Sequence, residues 1–165
     1  HGGYGLVNVN SIPKSSYNAF VFLGRLQGNR VTAEVNDYPA GCGVFAAYDE
    51  SRRILFVLLY YYVEPKANLS DDWKVELELG AVAGSVVPAQ VTRISAEGGS
   101  PYELWREIGS PDYMTLDMHH ELLRRARPEI VERLVTPGAG GKPRVLLSLS
   151  PAEVVLVECR LNDGA

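Results

Sequence analysis

Two glutamates two residues apart, Glu76 and Glu78, are the nearest this 165-residue sequence comes to a paired-carboxylate site. Such a pair can divide acid and base work between one protonated and one ionised group, provided both face a cleft. On a strand they would point to the same side, about 6.5 Å apart between Cα atoms. They alternate with Val75, Leu77 and Leu79, so one side of the strand is polar and the other apolar. A solvated face accounts for both carboxylates. Asp71-Asp72 and Asp49-Glu50 adjoin turn residues and read as loop charges.

His119-His120, with Asp117 and Glu121 nearby, invites a metal reading. Neighbouring helical residues point about 100° apart, so the two rings do not chelate one ion easily. A helix face near an interface is the simpler account, and neither metal nor cofactor is expected. Gly98-Gly99 and Gly138–Gly141 lack the lysine and helix of a phosphate loop. Cys42 and Cys159 stand far apart and in no CxxC pair. Two buried free thiols are expected, with a disulfide as the alternative in a secreted protein.

Flat aromatic side chains can stack on sugar rings, which singles out Tyr60-Tyr61-Tyr62, Trp73 and Trp105. Alternation along a strand sends Tyr60 and Tyr62 to one face and Tyr61 to the other. The simpler account puts these rings in the core or in a domain contact. Tyr60, Tyr62 and Trp73 are the candidate carbohydrate-binding residues. Asn68-Leu69-Ser70 is a formal glycosylation sequon.

The elements that would carry these groups follow from hydrophobic period. Ser11 can cap a helix, and Pro13 suits its first turn. Ala19, Phe22, Leu23 and Leu26 then share a helical face, while Phe20 and Val21 widen it beyond a stripe. Such a helix wants cover on more than one side. Gly28-Asn29 is expected to end it.

After Gly28 the period changes to two. Expected strands are Arg30–Val35, Gly43–Tyr48, Arg53–Tyr62, Trp73–Leu79, Val86–Ile94, Glu129–Val135, Arg144–Leu149 and Glu153–Arg160. Turn-rich pieces at Pro39–Gly41, Pro65–Asp72 and Thr136–Pro143 separate them. The pattern predicts a mainly β domain, an antiparallel β-sandwich. Ile54–Val63 is apolar throughout, as a central strand covered on both faces would be. Pro101–Arg127 interrupts the strands with two short helices, Tyr102–Ile108 and a second capped by Thr115. On the second, Leu116, His119, His120 and Leu123 share a face.

Three segments carry a resemblance. His1-Gly-Gly-Tyr-Gly-Leu-Val-Asn, followed by Ile12-Pro-Lys and Tyr17-Asn-Ala-Phe, resembles the end of the catalytic barrel in glycoside hydrolase family 39. Pro101-Tyr-Glu-Leu-Trp-Arg-Glu-Ile-Gly-Ser-Pro111, continuing through Thr115 and Leu122, resembles the helical insertion in that family's C-terminal β-sandwich. Val154-Val-Leu-Val-Glu158 is similar to its closing strand. The family holds the β-xylosidases and is related to the α-L-iduronidases.

The resemblance implies that residues 1–29 are the last strand-helix piece of a (β/α)₈ barrel. Residues 30–165 would be the C-terminal sandwich, with its helical insertion near 101–127. Family members are retaining glycosidases whose acid/base glutamate lies in an Asn-Glu-Pro motif and whose nucleophile ends the seventh barrel strand. Neither motif occurs here, so no catalytic residue is carried over. The expected role is a non-catalytic accessory domain whose partner is the catalytic barrel of the same parent protein. Alternatives are a stand-alone carbohydrate-binding module, with xylan or an oligosaccharide as partner, and a structural fragment without ligand.

Composition excludes other classes. The formal net charge of −4 gives no general attraction to phosphate backbones or anionic lipid, so neither nucleic acid nor membrane is an expected partner. The ten apolar residues of Ile54–Val63 are about half a membrane-spanning helix.

Overall fold

The computed structural model describes residues 4–36, 39–64, 71–79, 87–137 and 143–161. The sequon and Gly138–Gly141 lie outside the described residues, as does His1-Gly-Gly. The chain divides into two compact units. One joins Leu26–Val91 to Ile130–Ala165, and the other joins His1–Arg25 to Thr92–Glu129.

The strands are β1 (Asn29–Val31), β2 (Cys42–Asp49), β3 (Ile54–Tyr61), β4 (Trp73–Glu78), β5 (Val87–Ile94), β6 (Glu129–Pro137), β7 (Pro143–Leu149) and β8 (Val154–Arg160). They follow one another in hydrogen-bonded order β1-β2-β3-β8-β5-β6-β7-β4. The pairs β1–β2, β2–β3, β3–β8, β4–β7 and β6–β7 are antiparallel. The fold is mainly β, as the period-two patterning predicts. The first strand is the exception: Arg30–Val35 is expected, but pairing stops at Val31, opposite Ala46.

Alternation decides which side chains fill the core of the strand unit. Cys42 and Ala46 of β2, Val57, Leu59 and Tyr61 of β3, and Val155, Val157 and Cys159 of β8 point into one cluster. Trp73, Ala89, Val91, Val135, Val145, Leu147 and Leu149 complete it from the remaining strands. On β3 the intervening residues Phe56 and Leu58 are buried too, which is why this strand has no polar phase.

At the β2–β3 turn, Asp49 takes a bond from the Ser51 hydroxyl at 2.6 Å and from the Arg52 amide at 3.1 Å. The Arg52 guanidinium donates to the same carboxylate at 2.5 Å and to the Gln27 side chain at 3.0 Å. Asp49 is therefore a turn-forming residue.

The second unit holds α1 (Ser15–Arg25), α2 (Tyr102–Glu107) and α3 (Leu116–Arg125). Its core is Ile12, Leu104, Leu122 and Ala126, flanked by Trp105, Ile108, Met114 and Leu123. By compactness, residues 92–129 group with the N-terminal segment. Ile12 packs with α2 and α3, so the N-terminal segment and the helical insertion share a core.

The start of α1 also differs. The Asn8 side-chain oxygen accepts from the amides of Asn10 and Ile12 at 3.0 and 2.9 Å, closing a tight turn. Ser11 sits in that turn at φ 61, and Pro13 returns in a bridge to Val7. Neither residue opens the helix. It begins where the Lys14 carbonyl accepts from the amides of Tyr17 and Asn18. At the other end α1 stops at Arg25, before Gly28. Gly28 instead serves the entry to β1: its φ is +89, and a Cβ there would lie 2.0 Å from the Tyr48 carbonyl oxygen.

In the insertion the capping signal holds, since the Thr115 hydroxyl accepts from the Met118 amide at 3.3 Å. Gly109 and Ser110, both at positive φ, separate α2 from α3. The inward face of α3 centres on Leu122 and Ala126, whereas Leu116 of the expected face is exposed. Among the described residues no helix is long and apolar enough to cross a membrane.

Candidate functional site

The candidate carboxylates do not meet across a cleft. Glu76 and Glu78 lie on the open side of β4, and Arg144 of β7 reaches both, at 2.6 and 3.6 Å. An ion-paired strand surface is what remains of the acid/base reading. Asp72 is held by the hydroxyls of Ser150 and Ser148 at 2.8 and 3.1 Å. The carboxyl of Asp49 is drawn down to about 2, first by the Ser51 hydroxyl and then by the Arg52 guanidinium and amide. Three donors stabilise its charged form, which suits a turn anchor and not a proton donor at neutral pH.

The histidines are occupied otherwise. His119 Nε2 lies 2.8 Å from the Asn10 carbonyl oxygen, which fixes the proton on that nitrogen. This bond ties α3 to the turn before α1. His120 stands beside it, with ring centroids 6.2 Å apart and planes tilted by 50°. Among the described residues no three His, Cys, Asp or Glu side chains are placed to hold a metal.

Both cysteines are buried free thiols, as expected. Burial raises the Cys42 thiol and pushes Cys159 up to about 12. A thiol so disfavoured as thiolate is a packing residue, not a nucleophile.

The aromatic candidates separate. Tyr60 and Tyr62 are exposed, by 43% and 60%, while Tyr61 is buried between them. Trp73 is 6% exposed and belongs to the strand core, so its indole offers no face to a ligand. The reason lies in its phase: Trp73 is in step with Val75, Leu77 and Leu79. Trp105 is a packing residue, its indole N–H donating to the Pro111 carbonyl at 3.3 Å.

One buried polar position is not anticipated by the sequence pattern. Asn18 of α1 is buried, and its amide nitrogen donates to the carbonyls of Gly99 and Ala126, both at 2.8 Å. It staples the helix to the loop after β5 and to the end of α3. A signal was present, because Asn18 precedes the buried Phe22 by one turn on the same face. Much of the remaining surface of α1 is apolar and open: Tyr17, Phe20, Val21 and Leu23 are all exposed.

The sequence profile of "Glycosyl hydrolases family 39" matches residues 1–141. The chain belongs to that family. A β-xylosidase of Caldicellulosiruptor saccharolyticus is 31% identical over 164 residues, which is 99% of this chain and 32% of that protein. A β-xylosidase of Geobacillus stearothermophilus is 25% identical over 160 residues, or 96% of this chain and 29% of that one. The crystal structure of a monomeric β-xylosidase from Caulobacter crescentus CB15 superposes with a TM-score of 0.77 at 23% identity, covering 97% of this chain and 33% of that chain. The chain thus spans about a third of the length of the relatives it matches. The family 39 acid/base motif Asn-Glu-Pro does not occur in its sequence.

Proposed function

We propose that this chain is the non-catalytic C-terminal part of a family 39 retaining glycosidase whose substrate is a β-xyloside or a related glycoside. Residues 1–29 form the last strand-helix piece of the barrel. Residues 30–165 form an accessory β-sandwich, with the helical insertion near 101–127. The part played by this chain is mechanical. It covers barrel surface and holds the catalytic half rigid, while the two working carboxylates come from the rest of the parent.

The observation that carries this reading is the outward side of α1. Tyr17, Phe20, Val21 and Leu23 stand exposed on one helix, a larger apolar surface than a helix facing water carries. The match to only a third of each β-xylosidase relative supports it. The strand core does so too, since side chains from both halves of the strand order meet in one cluster, as two facing sheets would require.

The barrel half of the parent protein, expressed separately, should bind this chain with a Kd below about 10 μM, corresponding to about 7 kcal/mol. Replacing Phe20 or Leu23 by Asp should weaken binding about tenfold or more. Absence of association at about 100 μM refutes the packing role. Turnover of aryl β-xylosides by this chain alone, surviving removal of host enzymes, refutes the non-catalytic assignment.

A further inference from the structure

On β3, the ring of Tyr60 reaches across β2 and lies over Gly43, its register partner. A Cβ at position 43 would meet the Tyr60 Cζ and hydroxyl oxygen at 2.4 Å. The glycine therefore leaves room for the ring to lie over β2, and Tyr60 remains 43% exposed. Val154 of β8 is the partner on the opposite side. The row Gly43–Tyr60–Val154 is uncharged and low, apart from the ring itself. Two residues on, Tyr62 is exposed as well. Tyr62 lies one residue past the end of β3, and two residues of extended chain set the Cα atoms of Tyr60 and Tyr62 about 6.6 Å apart.

We propose that Tyr60 and Tyr62 form a stacking platform for a neutral pyranose chain, with Gly43 leaving room for the Tyr60 ring. A tyrosine ring offers an apolar face and a hydroxyl at its rim. A pyranose offers axial C–H groups on its face and hydroxyls around its edge. The two surfaces match in both respects. The absence of charge in the row disfavours a phosphate or an acidic peptide, whose charges would lose water without gaining a partner. The site makes no use of a carboxylate pair, so it binds without cleaving. It uses none of the exposed apolar residues of α1 and does not depend on the role assigned to them.

The experiment is a titration of this chain with xylohexaose, followed by amide chemical shifts and by calorimetry. Saturable binding is expected, with the largest shifts at Gly43, Tyr60 and Tyr62. Tyr60→Ala and Tyr62→Ala should each weaken it about tenfold. Tyr60→Phe should stay within about threefold of the parent chain. Gly43→Ala should weaken binding by displacing the ring, although it touches no sugar. Tyr60→Leu, apolar but not planar, keeps the question answerable if an alanine variant unfolds, and it should bind as weakly as Tyr60→Ala. No shifts up to the solubility limit of xylohexaose would overturn the proposal. So would binding that Tyr60→Leu and Tyr62→Ala leave unchanged, or shifts centred away from this row.

Discussion

The sharpest stability prediction concerns Asn18. Both partners of its amide nitrogen are carbonyl oxygens, Gly99 at 2.8 Å and Ala126 at 2.8 Å, so the NH₂ group must point to them. Asn18→Ala removes two hydrogen bonds, each worth about 0.5–1.5 kcal/mol net, and strips two carbonyls of a donor. The side chain is buried, so water replaces the lost donor poorly. A loss of about 2–4 kcal/mol follows. Asn18→Asp keeps the shape but turns the donor into a carboxylate facing two carbonyl oxygens. At pH 7 it should cost more than Asn18→Ala.

The pH dependence separates these two effects. Burial and the facing carbonyls raise the folded-state pKa of the new carboxyl above its unfolded value. The protonated form, which can donate to one carbonyl, is favoured in the folded state. Its relative stability is greatest below the unfolded pKa and falls as pH rises through the folded one. The assay is urea denaturation followed by Trp105 fluorescence, since Trp105 packs in the same core. Asn18→Asp should recover stability relative to the parent chain between about pH 7 and pH 4. A loss below about 0.5 kcal/mol for Asn18→Ala, or an Asn18→Asp variant no worse at pH 7, refutes the stapling argument.

Leu58→Ala, at a buried position in the middle of β3, should cost about 2–5 kcal/mol in urea denaturation; a loss below about 0.5 kcal/mol would make the strand peripheral. Native Cys42 and Cys159 should resist an aromatic disulfide reagent at pH 8, and both should react once the chain is denatured without reductant. Fast native reaction would contradict their burial. The folded-state pKa of Asp49 is lowered from 3.8 to about 2, so its contribution to stability is fully present above pH 3.8 and is lost as pH falls towards 2. Asn in its place should flatten the acid limb of the stability curve in that window. An unchanged limb would show that the turn bonds do not form in solution.

What the sequence reveals depends on whether a signal is local or needs the fold. The strands were legible because one-sided burial imposes a period of two, and β3 because two-sided burial removes it. Thr115 was legible because a hydroxyl three residues before a free amide needs no distant partner. The start of α1 is not legible: Ser11 and Pro13 satisfy the helix-start rules, yet the Asn8 side chain captures the amides of Asn10 and Ile12 first. Two local signals competed, and composition could not rank them. Trp73 is a different case, for its inward phase was visible in Val75, Leu77 and Leu79, and the phase was a better guide than its aromatic character.

The least legible feature is the grouping of residues 101–127 with the N-terminal segment. The Asn18 amide reaches partners 81 and 108 residues away, and no periodicity within one element encodes such a pairing. The grouping changes how the proposed role works. A helix held only by its own apolar stripe would be a poor anchor, because a short isolated helix is marginal in water. Here α1 is fixed on one side by Phe22, by Asn18 and by the Ile12 core, so its other side is presented already ordered. Docking of that side against a barrel would then lose little conformational entropy. Loosening the staple should accordingly weaken association with the barrel half even though Asn18 faces away from it. If Asn18→Ala lowers stability yet leaves that affinity unchanged, α1 does not need to be preorganised, and the insertion serves only its own unit.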